Sequence, residues 1–215
     1  MPDTGAPAAC RGLILDFVGV LTPDPAPMLR RWSLSQGLDA DAWRRTLTTH
    51  PVVKELYAEL EVGRLSQSEW NRLTAPILGL TEHENLMGRA WERVSPATEM
   101  IELAAAAREA GRTVAMLSNS FGLDPFDPYA ACGVRDLFDV TVISELEGLA
   151  KPDPAIYRLV LDRMGLPAES CVFVDDHPAN LPPAQELGIA TVLADGRPDT
   201  LARISELLGL AAAAC

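Results

Sequence analysis

Three carboxylates, a hydroxyl and a lysine stand in an order that can do chemistry. Asp16 lies in LILDFVGVLT, directly after a short apolar run, with Gly19 close behind to permit a sharp turn. An acid at the end of a buried strand is costly unless a metal or hydrogen bonds compensate it. Ser118, Asn119 and Ser120 follow the apolar run of AMLSNSFG and offer hydroxyl and amide donors to an oxyanion. Lys151 sits in GLAKPDPAIY, ahead of two prolines that fix its loop and start a helix. Asp175 and Asp176 are adjacent in CVFVDDHPANL, and two like charges so close call for a cation. Hard oxygen ligands at that density suit Mg²⁺. Each group also has an ordinary explanation. Asp16 and Ser118 can cap a turn or helix, and a lone loop lysine is usually a solvated charge. The ordered set is far more specific than any member.

Positioning such residues requires strands whose ends meet. Five apolar runs read as buried strands: Leu13–Leu15, Val114–Leu117, Val140–Ile143, Val172–Val174 and Thr191–Leu193. They lack polar alternation, as expected when helices cover both sheet faces. Helical segments separate them, at Ala97–Ala110, Pro154–Met164 and Pro182–Leu187, each stopped by a glycine, and an Ile204–Leu210 pattern follows. Alternating strand and helix argues an α/β fold with an open parallel sheet. Such sheets present ligands at the carboxyl ends of their strands. The alternation breaks between about Pro25 and Arg89, where apolar and aromatic residues fall on helical spacings. A small helical module is expected there. All four tryptophans lie in or beside it, either packing its core or lining a pocket at its boundary.

The motifs DFVGVLT, LSNS, AKPDPAIY and FVDDHPANL together resemble those of the haloacid dehalogenase superfamily, in the branch with a helical cap inserted after the first motif. The stretch FVDDHPANLPPAQELGIAT is similar to the phosphatase-like N-terminal domain of soluble epoxide hydrolases. The resemblance implies a Rossmann-like core over residues 11–24 and 90–215 and a cap over 25–89. It implies Asp16 as nucleophile, Ser118 and the Asn119 backbone binding phosphoryl oxygens, and Lys151 neutralising charge. Mg²⁺ would be held by Asp16, the Val18 carbonyl, Asp175 and Asp176. The substrate expected is a small phosphorylated or otherwise anionic molecule.

Val18 departs from the family pattern. Phosphatases of the family carry a second aspartate there, which protonates the leaving alcohol and then activates water. Losing general acid–base help removes about 10²–10⁴ in rate. Three readings follow: a Mg²⁺-dependent hydrolase favouring acidic leaving groups, a non-catalytic binder of a metabolite or partner, or carbon-centred substitution such as dehalogenation. Asp24, Asp124, Asp127 and His177 are the candidates to replace the missing acid.

The remaining expectations come from totals. The chain has 215 residues and a formal net charge of −12, so a nucleic-acid partner is not expected. No apolar run is long enough to span a membrane. The start MPDTGAPAAC has no basic region before an apolar stretch, so a short disordered lead-in without secretory signal is expected. The closing AAAAC is expected to fray. Cys10, Cys132, Cys171 and Cys215 are scattered, which fits reduced thiols and a cytoplasmic protein. Oligomeric state is left open.

Overall fold

A computed structural model describes residues 9–210; the lead-in before residue 9, the tail AAAAC and Cys215 lie outside the described residues. Five strands form one all-parallel sheet: β1 (Gly12–Leu15), β2 (Thr113–Ser118), β3 (Val140–Ile143), β4 (Cys171–Asp175) and β5 (Ala190–Leu193). Their order is β3-β2-β1-β4-β5. The chain therefore builds outward from β1 on one side and then returns to the other. The reversal sets the carboxyl ends of β2, β1 and β4 side by side, where open α/β sheets hold ligands. Leu15 pairs with Met116 on one flank and with Val174 on the other.

The strands bury both faces. Leu13, Leu15, Val114, Met116, Val172 and Val174 belong to one apolar cluster. Ile14, Ala115, Leu117, Val142 and Phe173 belong to the other, beneath Ile156, Tyr157 and Val160. This is the two-residue period of a strand read on a sheet covered on both sides, and it explains why the sequence shows apolar runs without polar alternation.

Between the turn after β1 and the helix that leads to β2, the described residues contain helices and no strand. They are α1 (Ala26–Ser35), α2 (Ala42–Thr49), α3 (Pro51–Glu61), α4 (Gln67–Thr74) and α5 (Leu86–Trp91). Trp70 is fully buried at their centre, with Trp43 tilted and Tyr57 edge-on against it at ring separations of 5.9 and 6.0 Å. Trp32 meets Trp43 edge-on. The helices that cover the sheet are α6 (Thr98–Glu109), α7 (Pro128–Ala131), α8 (Ser144–Glu147), α9 (Pro154–Met164), α10 (Leu181–Glu186) and α11 (Thr200–Leu208).

Sequence boundaries hold to within a residue at each end for all five strands, and β3 matches at both ends. The second-strand run gains a residue at each end, and the fourth gains Cys171 and Asp175. The segment expected at Pro182–Leu187 begins and ends one residue earlier, and the Ile204–Leu210 pattern becomes Thr200–Leu208. Gly209 ends that last helix in a left-handed conformation, so Leu210 lies beyond it.

Candidate active site

Asp16 follows β1 immediately and is 8% exposed. Its backbone N–H donates to the Val174 carbonyl at 3.0 Å, which fixes it to the centre of the sheet. The chain then turns through Phe17–Leu21, with Gly19 at φ +77°. Only glycine is unstrained there, and a Cβ on Gly19 would overlap the Asp176 carboxylate. The glycine thus lets the acid pair at the end of β4 close over the turn after β1.

Lys151 links the strand ends. Its ammonium lies 2.7 Å from Asp16 Oδ1 and 2.7 Å from Asp175 Oδ2, and its side chain is 1% exposed. The Asn119 side chain holds the lysine backbone on both sides, accepting from Lys151 N–H at 2.8 Å and donating to its carbonyl at 2.9 Å. Asp175 also accepts from the His177 backbone N–H at 2.7 Å and from Asn180 at 3.0 Å. A buried charge pair is tolerable when its remaining lone pairs and protons are occupied in this way.

Asp16, Asp175 and Asp176 each offer an oxygen within 4.8 Å of the others. Lys151 balances one of the three charges. Burial pushes the Asp16 carboxyl up to about 7, with Lys151 opposing and the Asp175 charge adding to the rise. Desolvation and Asp175 also raise Asp176. Carboxylate oxygens crowded in this way are a donor set that a divalent cation fits, because its charge offsets their mutual repulsion.

Above this cluster lies a cavity of about 530 Å³. Asp16, Val18, Asn119 and Lys151 form part of its lining. Leu29, Trp43, Leu47, Tyr57, Trp91 and Phe121 supply apolar wall. Trp91 and Phe121 stack at 4.5 Å, across the boundary between inserted helices and sheet. Both expectations for the tryptophans are met: Trp70 packs the helical module, while Trp43 and Trp91 are buried and also border the cavity.

Ser118 ends β2 beside the cluster, but its hydroxyl is engaged. Tyr129 O–H donates to it at 2.9 Å, and it is 1% exposed. Of the four expected replacements for the acid absent at Val18, Asp24 and His177 border the cavity. Asp24 accepts from Ala26 N–H at 2.9 Å. Asp127 instead caps α7, accepting from Tyr129 and Ala130 N–H groups at 3.0 Å, and pairs with Arg135. Asp124 is not among the cavity's lining residues.

Sequence reasoning missed Glu61. It ends α3 and borders the same cavity as Asp16 and Val18. Burial raises its carboxyl to about 7, against the Asn119 amide and the Lys151 charge. Nothing in ELYAELEVG separates Glu61 from Glu55, which is exposed, or from Glu59, which is half-buried on the same helix. Only the packing of that helix end against the sheet distinguishes it.

Comparison with known proteins gives the family and the fold. The chain is 32% identical over 212 residues to acyl-CoA dehydrogenase family member 10 of Mus musculus, covering 92% of this chain and 19% of that protein. It is 27% identical over 223 residues to bifunctional epoxide hydrolase 2 of Rattus norvegicus, covering 94% of this chain and 39% of that protein. The chain thus spans about a fifth and about two fifths of the length of these relatives. The magnesium complex of the HAD family enzyme BT-2542 from Bacteroides thetaiotaomicron shares the fold, with a TM-score of 0.64 at 23% identity over 86% of this chain and 93% of that one. The family described as haloacid dehalogenase-like hydrolase matches residues 10–188. With that match spanning most of its length, the chain belongs to the haloacid dehalogenase-like hydrolase family.

Proposed function

We propose that this hydrolase removes phosphate from a small organic phosphate, with Asp16 as the attacking carboxylate. The observation that carries the reading is the Lys151 ammonium at 2.7 Å from both Asp16 and Asp175, at the base of a cavity bordered by apolar side chains. Lys151 holds Asp16 in place and neutralises charge where an anionic group would dock. Asp16, the Val18 carbonyl, Asp175 and Asp176 are the residues that would hold Mg²⁺. When bound, the ion supplies charge neutralisation for the transferring phosphoryl group.

The chemistry assigned to the chain is in-line attack by Asp16 on phosphorus, followed by hydrolysis of the resulting acyl phosphate. Ser118 is proposed to bind phosphoryl oxygen; Tyr129 donates to its hydroxyl, and the serine proton, which is donated to the Asn119 carbonyl at 3.3 Å, would turn to the phosphate. Asn119 is proposed to contribute its backbone to the same oxygens while its side chain keeps Lys151 placed. The aromatic and aliphatic wall favours a substrate with an apolar body. Val18 offers no proton to the departing oxygen, so phosphates of acidic alcohols and carboxylic acids are the easiest substrates.

The test is phosphate release from a panel of aryl, acyl and alkyl phosphates, with and without Mg²⁺. Turnover is expected to need the metal and to fall by at least about 10³-fold in Asp16→Asn, as for loss of other enzymatic nucleophiles. A folded, Mg²⁺-binding protein that releases phosphate from no member of the panel would overturn the reading. So would release that Asp16→Asn leaves unchanged. Halide release that survives a chelator would move the activity to a carbon centre.

A further inference from the structure

We infer that Glu61, borne by the inserted helices, handles the proton that Val18 cannot. The inference rests on the phosphate-transfer reading above and deepens it.

Three structural facts converge on this residue. First, Glu61 borders the cavity that contains Asp16 and Val18, so it shares a compartment with the reacting carboxylate. Second, its backbone is anchored. The Ser144 hydroxyl at the start of α8 donates to the Glu61 carbonyl, and the same Ser144 oxygen accepts from Ser120 N–H at 2.7 Å. The end of α3 is thereby tied to the loop that carries Asn119. Two residues on, Gly63 has φ +70° and approaches the Glu145 carbonyl so closely that a Cβ would overlap it. The helix end is thus fixed to the sheet rather than free at a surface, as a catalytic group requires. Third, Val18, which lines the same cavity just beyond the β1 tip, has no titratable group.

The raised pKa of Glu61 suits the same role, because a group titrating near neutrality serves as both acid and base. Its surroundings are charged on several sides. Asp16 and Lys151 act on it from the sheet, Tyr57 lies one turn back on α3, and Glu145 stands on α8 packed against that helix. Arg44, Asp24 and His177 border the same cavity.

The proposed steps balance. In the first, an Asp16 oxygen bonds to phosphorus as the phosphorus–oxygen bond to the leaving group breaks. The leaving oxygen keeps the bonding pair and takes the Glu61 proton, giving an alcohol. In the second, a water oxygen attacks the acyl phosphate and its proton passes to the Glu61 carboxylate. The Asp16–phosphorus bond breaks, and inorganic phosphate and the original Asp16 carboxylate are regenerated.

The test measures kcat/KM against leaving-group pKa, from nitrophenyl to simple alkyl phosphates, with Mg²⁺ saturating. Glu61→Gln is expected to lose about 10²–10⁴ on alkyl phosphates. On an acidic phenol it should keep a fast burst of phenol release followed by slow turnover, since only the second step then needs the carboxylate. The acid limb of the kcat pH profile should change as well. Val18→Asp placed in the Glu61→Gln chain should restore alkyl phosphate turnover. A Glu61→Gln chain that matches the parent on every leaving group, or that loses kcat/KM equally on all of them with no burst on the acidic phenol, would overturn the assignment while Asp16→Asn stays inactive. If Asp16→Asn is itself as active as the parent, the underlying phosphate-transfer reading fails, and the role of Glu61 falls with it.

Discussion

Lys151 is the residue on which the site's charge balance turns. It is the one cation placed between Asp16 and Asp175, and neither acid has an equal substitute among its described ion pairs. Removing one partner of a buried ion pair typically costs about 3–5 kcal/mol, because the other charge is left buried and unpaired. Lys151→Met, similar in volume, is expected to lose stability of that order at neutral pH. Urea unfolding with and without Mg²⁺ checks it, and the metal should restore part of the loss. Glu61 gives a second residue-scale expectation. Its carboxyl holds a proton to about pH 7 in the fold, against an ordinary value of 4.5. Between those values the folded state binds more protons than the unfolded chain, so this group makes stability fall as pH rises. Glu61→Gln lacks that penalty. In metal-free protein its stability relative to the parent should rise between pH 4.5 and 7 by roughly 1–3 kcal/mol, then level off. A gap that does not vary with pH would show that the side chain is solvated.

Among elements, the junction between the inserted helices and the loop after β2 decides how the cavity is closed. Gln67, at the first turn of α4 and 2% exposed, carries much of it. Its amide donates to the Phe121 and Phe126 carbonyls at 3.0 and 3.1 Å, and its carbonyl accepts from Phe126 N–H at 3.0 Å. Gly122, at φ +96°, leaves the room that this side chain occupies. Gln67→Ala strands buried backbone groups, each worth about 1–3 kcal/mol when unsatisfied. The expected result is a loss of about 2–3 kcal/mol, faster amide exchange over residues 119–126, and a KM that rises more than kcat falls. Exchange confined to the parent rate would mean that Trp91 and Phe121 hold the junction without it.

Considered whole, the molecule is strongly acidic yet is proposed to act on an anion. Its net charge of −12 repels phosphate esters at long range, while Lys151 and a bound cation attract them only once inside. Salt screens the long-range part first, since the Debye length shrinks from about 20–30 Å near 0.01–0.02 M to about 7–8 Å near 0.2 M. At fixed Mg²⁺, kcat/KM for a phosphate ester should therefore rise with ionic strength. A steep fall instead would place the dominant recognition on exposed cations. No helix among the described residues is long and apolar enough to cross a membrane. The larger apolar cluster joins Leu13 and Val114 of the sheet to Leu60 and Trp70 of the inserted helices, so the two parts share one packed interior.

The sequence by itself determined the sheet and most of the charged cluster. Apolar runs without alternation, glycines past helix ends and acids at strand tips are local signals, written in neighbouring residues. Asp16, Lys151, Asp175 and Asp176 could each be found because each follows or precedes such a signal. Tertiary structure decided what no local pattern carries. It turned the Ser118 hydroxyl toward Tyr129, drew Asp127 away to cap α7, and brought Glu61 from a helix of ordinary acids into the cavity. The physical reason is that a side chain's role depends on which surface its element packs against. For α3 that surface lies beyond residue 110 in the chain, at Asn119, Ser144 and Glu145, too distant in sequence for spacing or composition to register.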